Sequence, residues 1–106
     1  MKYNNTKTVV DGIKFDSKRE AERYEELKLL ERAGKISDLV LQPKFELIPK
    51  YTINGRNVRK MEYIADFQYT ENGKTIIEDA KGFKTKDYLI KKKLFEFKYG
   101  IEIMEV

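Results

Sequence analysis

The residues that could do chemistry in this chain are carboxylates and a lysine. Asp66 lies in the apolar run Tyr63-Ile64-Ala65-Asp66-Phe67, and Asp79 and Lys81 lie in Ile77-Glu78-Asp79-Ala80-Lys81-Gly82. Each run reads as a short strand that carries an acid where a core strand would take another Val or Ile. The connector 68–76 contains Asn72-Gly73, the dipeptide of tight hairpin turns, so the runs are expected to fold back as antiparallel neighbours. Alternation along a strand puts Asp79 and Lys81 on one face, and Asp66 on the face of Ile64 rather than of Tyr63 or Phe67. Where those faces coincide, two carboxylates and one lysine converge. All-oxygen ligands of this kind suit Mg²⁺ or Mn²⁺, which clamp a phosphate and acidify a bound water. Asp66 and Asp79 would be ligands, with Glu20 closing the site from a helix and the carbonyl of Ala80 adding one more oxygen. Lys81 would orient the attacking water or steady charge in the transition state.

The same residues have a plainer explanation. Asp-x-Lys is a common tripeptide, and Asp79 with Lys81 could be an edge-strand ion pair of little energetic consequence. Asp66 could cap a loop. Composition narrows the choice. With no cysteine and no histidine, the chain has no disulfide, no thiolate or imidazole metal site and no serine-type triad. Any metal must therefore sit on carboxylates, carbonyls and water. No apolar run approaches the ~20 residues of a membrane span, and the polar N-terminus lacks a signal-peptide core, so a cytoplasmic protein is expected. A length of 106 residues suits one domain with one modest core. The charged content of 38% mixes both signs, which argues against wholesale disorder. A formal charge of +4 permits a polyanionic partner.

The elements that must hold the site can be read from turn and cap signals. Residues 8–15 form a hairpin around Asp11-Gly12. Ser17 and Glu20 have the spacing of a capping box before a helix over 18–33, which stops at Gly34. At 100° per residue Ala21, Tyr24, Leu27 and Leu30 make its apolar stripe, and Glu20 falls inside that stripe. A carboxylate there serves either the cap or a metal, and the helix alone does not separate the two. Strands are expected over 36–41, ended by Gln42-Pro43, and over 45–48, ended by Pro49. A second hairpin follows around Asn54-Gly55. Thr85 caps a helix over 86–99 that Gly100 closes, with Tyr88, Ile90, Leu94, Phe95 and Phe97 as core candidates. A last strand over 101–104 should return beside an earlier strand and parallel to it. The fold class is a mixed α/β (α+β) sheet with an N-terminal hairpin, in a single domain over 1–106.

The order Glu20, Ala65-Asp66, Asp79-Ala80-Lys81 resembles the PD-(D/E)XK nuclease superfamily. A wider set of segments is similar to small phage and prophage proteins assigned to it: Phe15-Asp16-Ser17-Lys18-Arg19-Glu20-Ala21-Glu22, Gln42-Pro43, Tyr63-Ile64-Ala65-Asp66-Phe67 and Glu78-Asp79-Ala80-Lys81-Gly82. Phage Holliday-junction resolvases and the nuclease subunit of Tn7-type transposases share a similar arrangement. The resemblance spans about residues 13 to 105. It implies a restriction-endonuclease-like αβββαβ core and Mg²⁺- or Mn²⁺-dependent cleavage of DNA, on branched or junction DNA in phage recombination or replication. It further implies Glu20, Asp66 and Asp79 as metal ligands and Lys81 as the catalytic lysine. Ala65 stands where the motif's proline would be, a departure that does not touch the chemistry. Glu78 falls on the opposite face, outside the ligand set. Gln42 sits where related nucleases often have Gln-Pro, which would place it beside the site, although a strand-ending Gln-Pro explains it equally well.

Positive charge follows the motif. Residues 81–98 hold seven lysines against Asp87 and Glu96, enough for salt-sensitive phosphate contacts. Lys84 and Lys86 flank the loop after the motif and are the expected backbone contacts. Lys91, Lys92 and Lys93 spread round the helix, so a solvated face accounts for them as well. Arg56 and Arg59 would clamp DNA from the other side or solubilise a hairpin. One site cuts one strand, so symmetric cutting needs a homodimer or a partner subunit. The competing reading is a non-catalytic DNA-binding or assembly module that keeps the nuclease fold.

Overall fold

Asp11-Gly12 closes the first hairpin as the turn chemistry requires. Strand β1 (Thr8–Val10) pairs antiparallel with β2 (Ile13–Phe15). The computed structural model describes residues 7–80 and 84–106. Helix α1 (Lys18–Arg32) starts on Ser17, whose Oγ accepts from the Glu20 N–H at 3.1 Å, and ends before Gly34 at φ +75°. Its inward stripe is Glu20, Ala21, Tyr24 and Leu27. The Tyr24 hydroxyl donates to Asp11 Oδ2 at 3.0 Å and ties the hairpin to the helix.

The strands that follow are β3 (Ser37–Leu41), β4 (Lys44–Ile48), β5 (Tyr51–Ile53), β6 (Arg56–Val58), β7 (Met61–Ile64), β8 (Phe67–Glu71) and β9 (Lys74–Asp79). Helix α2 (Lys86–Tyr99) runs from its Thr85 cap to Gly100, and β10 (Ile103–Glu105) is the last strand. The central sheet has the order β10-β9-β8-β3, with β8 antiparallel to β3 and β9 and with β10 parallel to β9. The helix–strand return therefore lies where the sequence places it. Among the described residues no helix is long and apolar enough to cross a membrane.

Residues 63–67 do not form one strand. Strand β7 ends at Ile64, β8 begins at Phe67, and Ala65-Asp66 lies between them. Opposite, β3 and β4 are separated by Gln42-Pro43. The antiparallel register is nonetheless the same on both sides, Leu41 facing Phe67 and Lys44 facing Ile64. Backbone bonds bridge the gap, from Gln42 N–H to the Asp66 carbonyl at 2.9 Å and from Ala65 N–H to the Pro43 carbonyl at 3.1 Å. The result is one long ladder kinked at its middle. Gln42 sits at φ +50°, a left-handed conformation unfavourable for a side chain of its kind, and absorbs the bend.

The kink reverses which face is buried. Phe67 and Tyr69 pack with Phe15, Ala21, Tyr24, Leu27 and Ile36 under α1. Tyr63 and Ala65 pack with Leu47, Ile77, Tyr88, Phe95 and Ile103 under α2. Simple alternation through 63–67 thus fails at the break. On α2 three of the five expected core residues pack inward, Leu94 partly buried against the same cluster. Tyr88 and Phe95 are buried, but Phe97 is 90% and Ile90 59% exposed. Each lies two positions beyond an inward aromatic, a 200° rotation that turns it to the outer face.

Candidate active site

The kink and the end of β9 bring the acids together. Asp66 occupies the break between β7 and β8, and its N–H donates to the Glu78 carbonyl at 3.1 Å. Its carboxylate Oδ2 accepts from the Ala80 N–H at 2.7 Å. Asp66 is therefore anchored to β9 on both sides of Asp79, and the loop-capping role stands beside its membership of the cluster. Asp79 is 1% exposed. It is the last residue of a central strand, flanked by β8 and β10, with its carbonyl accepting from the Val106 N–H at 3.0 Å. The edge-strand explanation of Asp79 does not hold. Lys81 lies outside the described residues.

Asp79 and Glu20 both act electrostatically on Asp66. The Asp66 carboxyl is pushed up to about 8, first by burial and then by the negative charge of Asp79. The Ala80 N–H works against that rise, while the charge of Glu20 and a hydrogen bond with Asp79 add to it. Glu20 is 5% exposed on the inward stripe of α1. Its backbone N–H serves the Ser17 cap, and its carboxylate is close enough for its charge to act on Asp66. Cap and cluster thus use different atoms of one residue.

Three acids, two of them deeply buried, disfavour full ionisation together. A hard divalent cation would remove that repulsion, and the donor set, oxygen only, is of the chemistry that suits Mg²⁺ or Mn²⁺. Among the described residues no group of three or more acids stands at metal-ligating spacing. Asp79 is instead turned to the Tyr63 hydroxyl, and Asp66 to the Ala80 N–H.

Tyr63 was not singled out by sequence. Its hydroxyl donates to Asp79 Oδ2 from β7, and its ring centroid lies 6.4 Å from that of Tyr88. Burial, followed by the hydrogen bond to Asp79, raises the Tyr63 phenol well above its usual range, so it stays a donor. A Tyr in an apolar strand reads as core, and only the pairing of β7 with the kinked ladder brings it to Asp79. Glu78 behaves as the face argument requires. It is fully buried on the α1 side, where Arg23 donates to it from Nε at 2.8 Å and from Nη2 at 2.6 Å, and the Tyr69 hydroxyl donates as well. Neighbouring acids are thereby divided, Asp79 toward the cluster and Glu78 into a structural ion pair.

The other expected residues sit around this centre. Gln42 meets Asp66 through its backbone rather than by a described side-chain bond. Lys84 is not a free cation, because its Nζ pairs with Glu105 Oε1 at 2.9 Å. Glu105 also accepts from the Tyr88 hydroxyl at 2.7 Å and from Lys92 Nζ at 3.3 Å. These partners, Lys84 first, lower its carboxyl to about 2. Lys86 is exposed on the first turn of α2, and Arg56 and Arg59 are exposed on β6 and just after it, beyond the far end of the ladder.

Over residues 1–104 the chain matches the family described as a protein of unknown function (DUF1064). No curated protein matches it, and no solved structure does.

Proposed function

We propose that this chain, which belongs to the DUF1064 family, is a divalent-metal-dependent endodeoxyribonuclease. The observation that carries this reading is the convergence of Glu20, Asp66 and Asp79, where burial first, and then the charges of Asp79 and Glu20, push the Asp66 carboxyl up to about 8. Perturbation by burial together with specific like charges is what catalytic and metal sites require. The order of α1, the antiparallel β3, β8 and β9, then α2 and the parallel β10 supports the same reading, because it is the order the PD-(D/E)XK resemblance implies. A fold is not a function, so the argument rests on the acids.

A cation held by Glu20, Asp66 and Asp79, with the Ala80 carbonyl, would polarise the scissile phosphate and acidify a bound water. The remaining chemistry belongs to the chain. Tyr63 keeps Asp79 oriented, and the Ala80 N–H keeps Asp66 oriented. Lys81, two residues beyond Asp79, would supply the positive charge that positions the attacking water and balances charge on the phosphate oxygens. Lys84 and Lys86, after the motif, supply contacts to the DNA backbone, with Lys84 sharing its charge with Glu105. Cutting both strands of a duplex or junction requires a second copy of the site or a partner subunit. A phage or prophage setting in the bacterial cytoplasm accords with the resemblance.

The test is cleavage of labelled four-way junction, matched linear duplex and single strand, in Mg²⁺ and in Mn²⁺, by wild type and Lys81→Ala together. Cutting by wild type alone is expected, with chelator abolishing it. Equal cutting by both proteins contradicts the role of Lys81. Cutting of no substrate, with salt-sensitive DNA binding intact, favours the non-catalytic module.

A further inference from the structure

From Pro49 to Met61 the chain carries Lys50, Arg56, Arg59 and Lys60 and no acidic residue. This segment folds as the β5–β6 hairpin, a two-stranded ribbon whose strands pair only with each other among the described strands. Tyr51, Thr52, Ile53, Arg56 and Asn57 are all exposed, and only Val58 is partly covered. An isolated two-stranded ribbon is at best marginally stable in water, and this one leaves Tyr51 and Ile53 about half uncovered. The radius of gyration, 15.7 Å, exceeds the ~13 Å of a compact chain of this length, as a projecting arm would produce. At the base of the ribbon a shallow cleft is lined by Lys50, Tyr51, Thr52, Asn57, Val58 and Arg59.

We infer that the β5–β6 ribbon is a duplex-reading arm that enters the major groove beside the cleavage site. The inference rests on the nuclease reading and names its substrate class as double-stranded DNA. The major groove admits a two-stranded ribbon, and a purely positive segment is matched to the phosphates on either side of it. Arg56 stands next to the Asn54-Gly55 turn and opposite Ile53. Arginine at that position can donate two hydrogen bonds to guanine O6 and N7. Asn57, the next residue, lies on the opposite face, where its Oδ1 accepts from the Thr52 hydroxyl at 2.9 Å across the ribbon. Lys50 and Arg59, at the ribbon's base, face the phosphate walls.

The ladder sets the distance from cut to readout. From Asp66 to Met61, which pairs with Ile48, is five residues of β7 and its approach, about 17 Å at 3.3 Å per residue. At 3.4 Å per base step that is roughly five base pairs. The ribbon begins there, so the bases it reads lie about half a helical turn or more from the scissile phosphate.

The experiment measures binding of the full chain to a labelled duplex and to its single strand without divalent cation, for wild type, Arg56→Ala and Arg56→Ala/Arg59→Ala, with dimethyl sulfate footprinting of guanine N7. These exposed substitutions should leave the melting curve unchanged. Removing Arg56 should weaken duplex binding several-fold, and removing Arg59 as well should weaken it further and flatten the log affinity against log salt slope by about 0.9. Wild type should protect guanine N7 in one groove segment, and Arg56→Ala should lose that protection. Weakened binding with no N7 protection in wild type overturns groove reading and leaves only a backbone clamp. Unchanged duplex binding in both variants overturns the inference entirely, and equal losses on duplex and single strand overturn the duplex assignment. Because no metal is present, failure of cleavage does not bear on these outcomes, and cleavage without an N7 footprint leaves the nuclease reading standing.

Discussion

Asp79→Asn should eliminate DNA cleavage, with a rate loss of at least about 100- to 1,000-fold, the scale of removing one preorganised electrostatic group from an active site. The same substitution should not destabilise the metal-free protein. Asparagine is close in size to aspartate and still offers an oxygen to the Tyr63 hydroxyl. It also removes the charge that most strongly opposes ionisation of Asp66 after burial itself. The sign follows from linkage. Asp66 titrates near 3.8 when unfolded and about 8 when folded. The folded state therefore binds more protons between those values, and stability falls as pH rises through that window. In Asp79→Asn the folded value drops toward 3.8, the decline becomes shallower, and at pH 8 the metal-free variant should match or exceed wild type by about 1 kcal/mol. Melting curves in chelator at pH 5 and pH 8, run beside the cleavage gel, separate the two effects. Full activity in Asp79→Asn would remove this residue from the site.

Arg23→Ala should have the largest effect on stability and leave the chemistry of the site untouched. Glu78 is fully buried, and its charge is balanced by two hydrogen bonds from one guanidinium and one from the Tyr69 hydroxyl. The same contacts raise the Arg23 guanidinium further above its already high range. Removing the guanidinium strands a carboxylate in the core, at a cost of about 3–5 kcal/mol. A domain of this size has ~5–15 kcal/mol in total, so urea unfolding should shift to much lower midpoints. Arg23→Met combined with Glu78→Gln should recover part of the loss, because no charge then remains buried and the Tyr69 hydroxyl keeps an acceptor. A loss below about 1 kcal/mol in Arg23→Ala would show that Glu78 escapes to water or takes up a proton without penalty.

These two variants turn on adjacent residues, and their difference shows what was legible in the sequence. Period-two alternation separated Glu78 from Asp79 correctly, because β9 is a regular central strand. The same rule misplaced the faces of Tyr63 and Phe67, because the ladder kinks at Ala65-Asp66 and no local signal in that run announces a break. The clue lay across the sheet, in Gln42-Pro43, where proline cannot donate to the ladder. Cap residues placed α1 and α2 to within a residue, since Ser17, Gly34, Thr85 and Gly100 each act locally. Tyr63 and Arg23 were not legible as partners of Asp79 and Glu78. Both contacts are long-range, and neither residue type is unusual where it stands. Phe97 was read as core from its type, although its angular position on α2 turns it outward.

The most direct test of the central claim, that Glu20, Asp66 and Asp79 form one cation site, is calorimetric titration of Mn²⁺ into the full chain at pH 7. Running it in two buffers of different ionisation enthalpy counts the protons released. With Asp66 at about 8, the free site is mostly protonated at pH 7, so cation binding must expel roughly one proton. Saturable binding with that release, abolished in Asp79→Asn, is the predicted result. Saturable binding that persists unchanged in Asp79→Asn, or no binding to the wild-type chain, would contradict it.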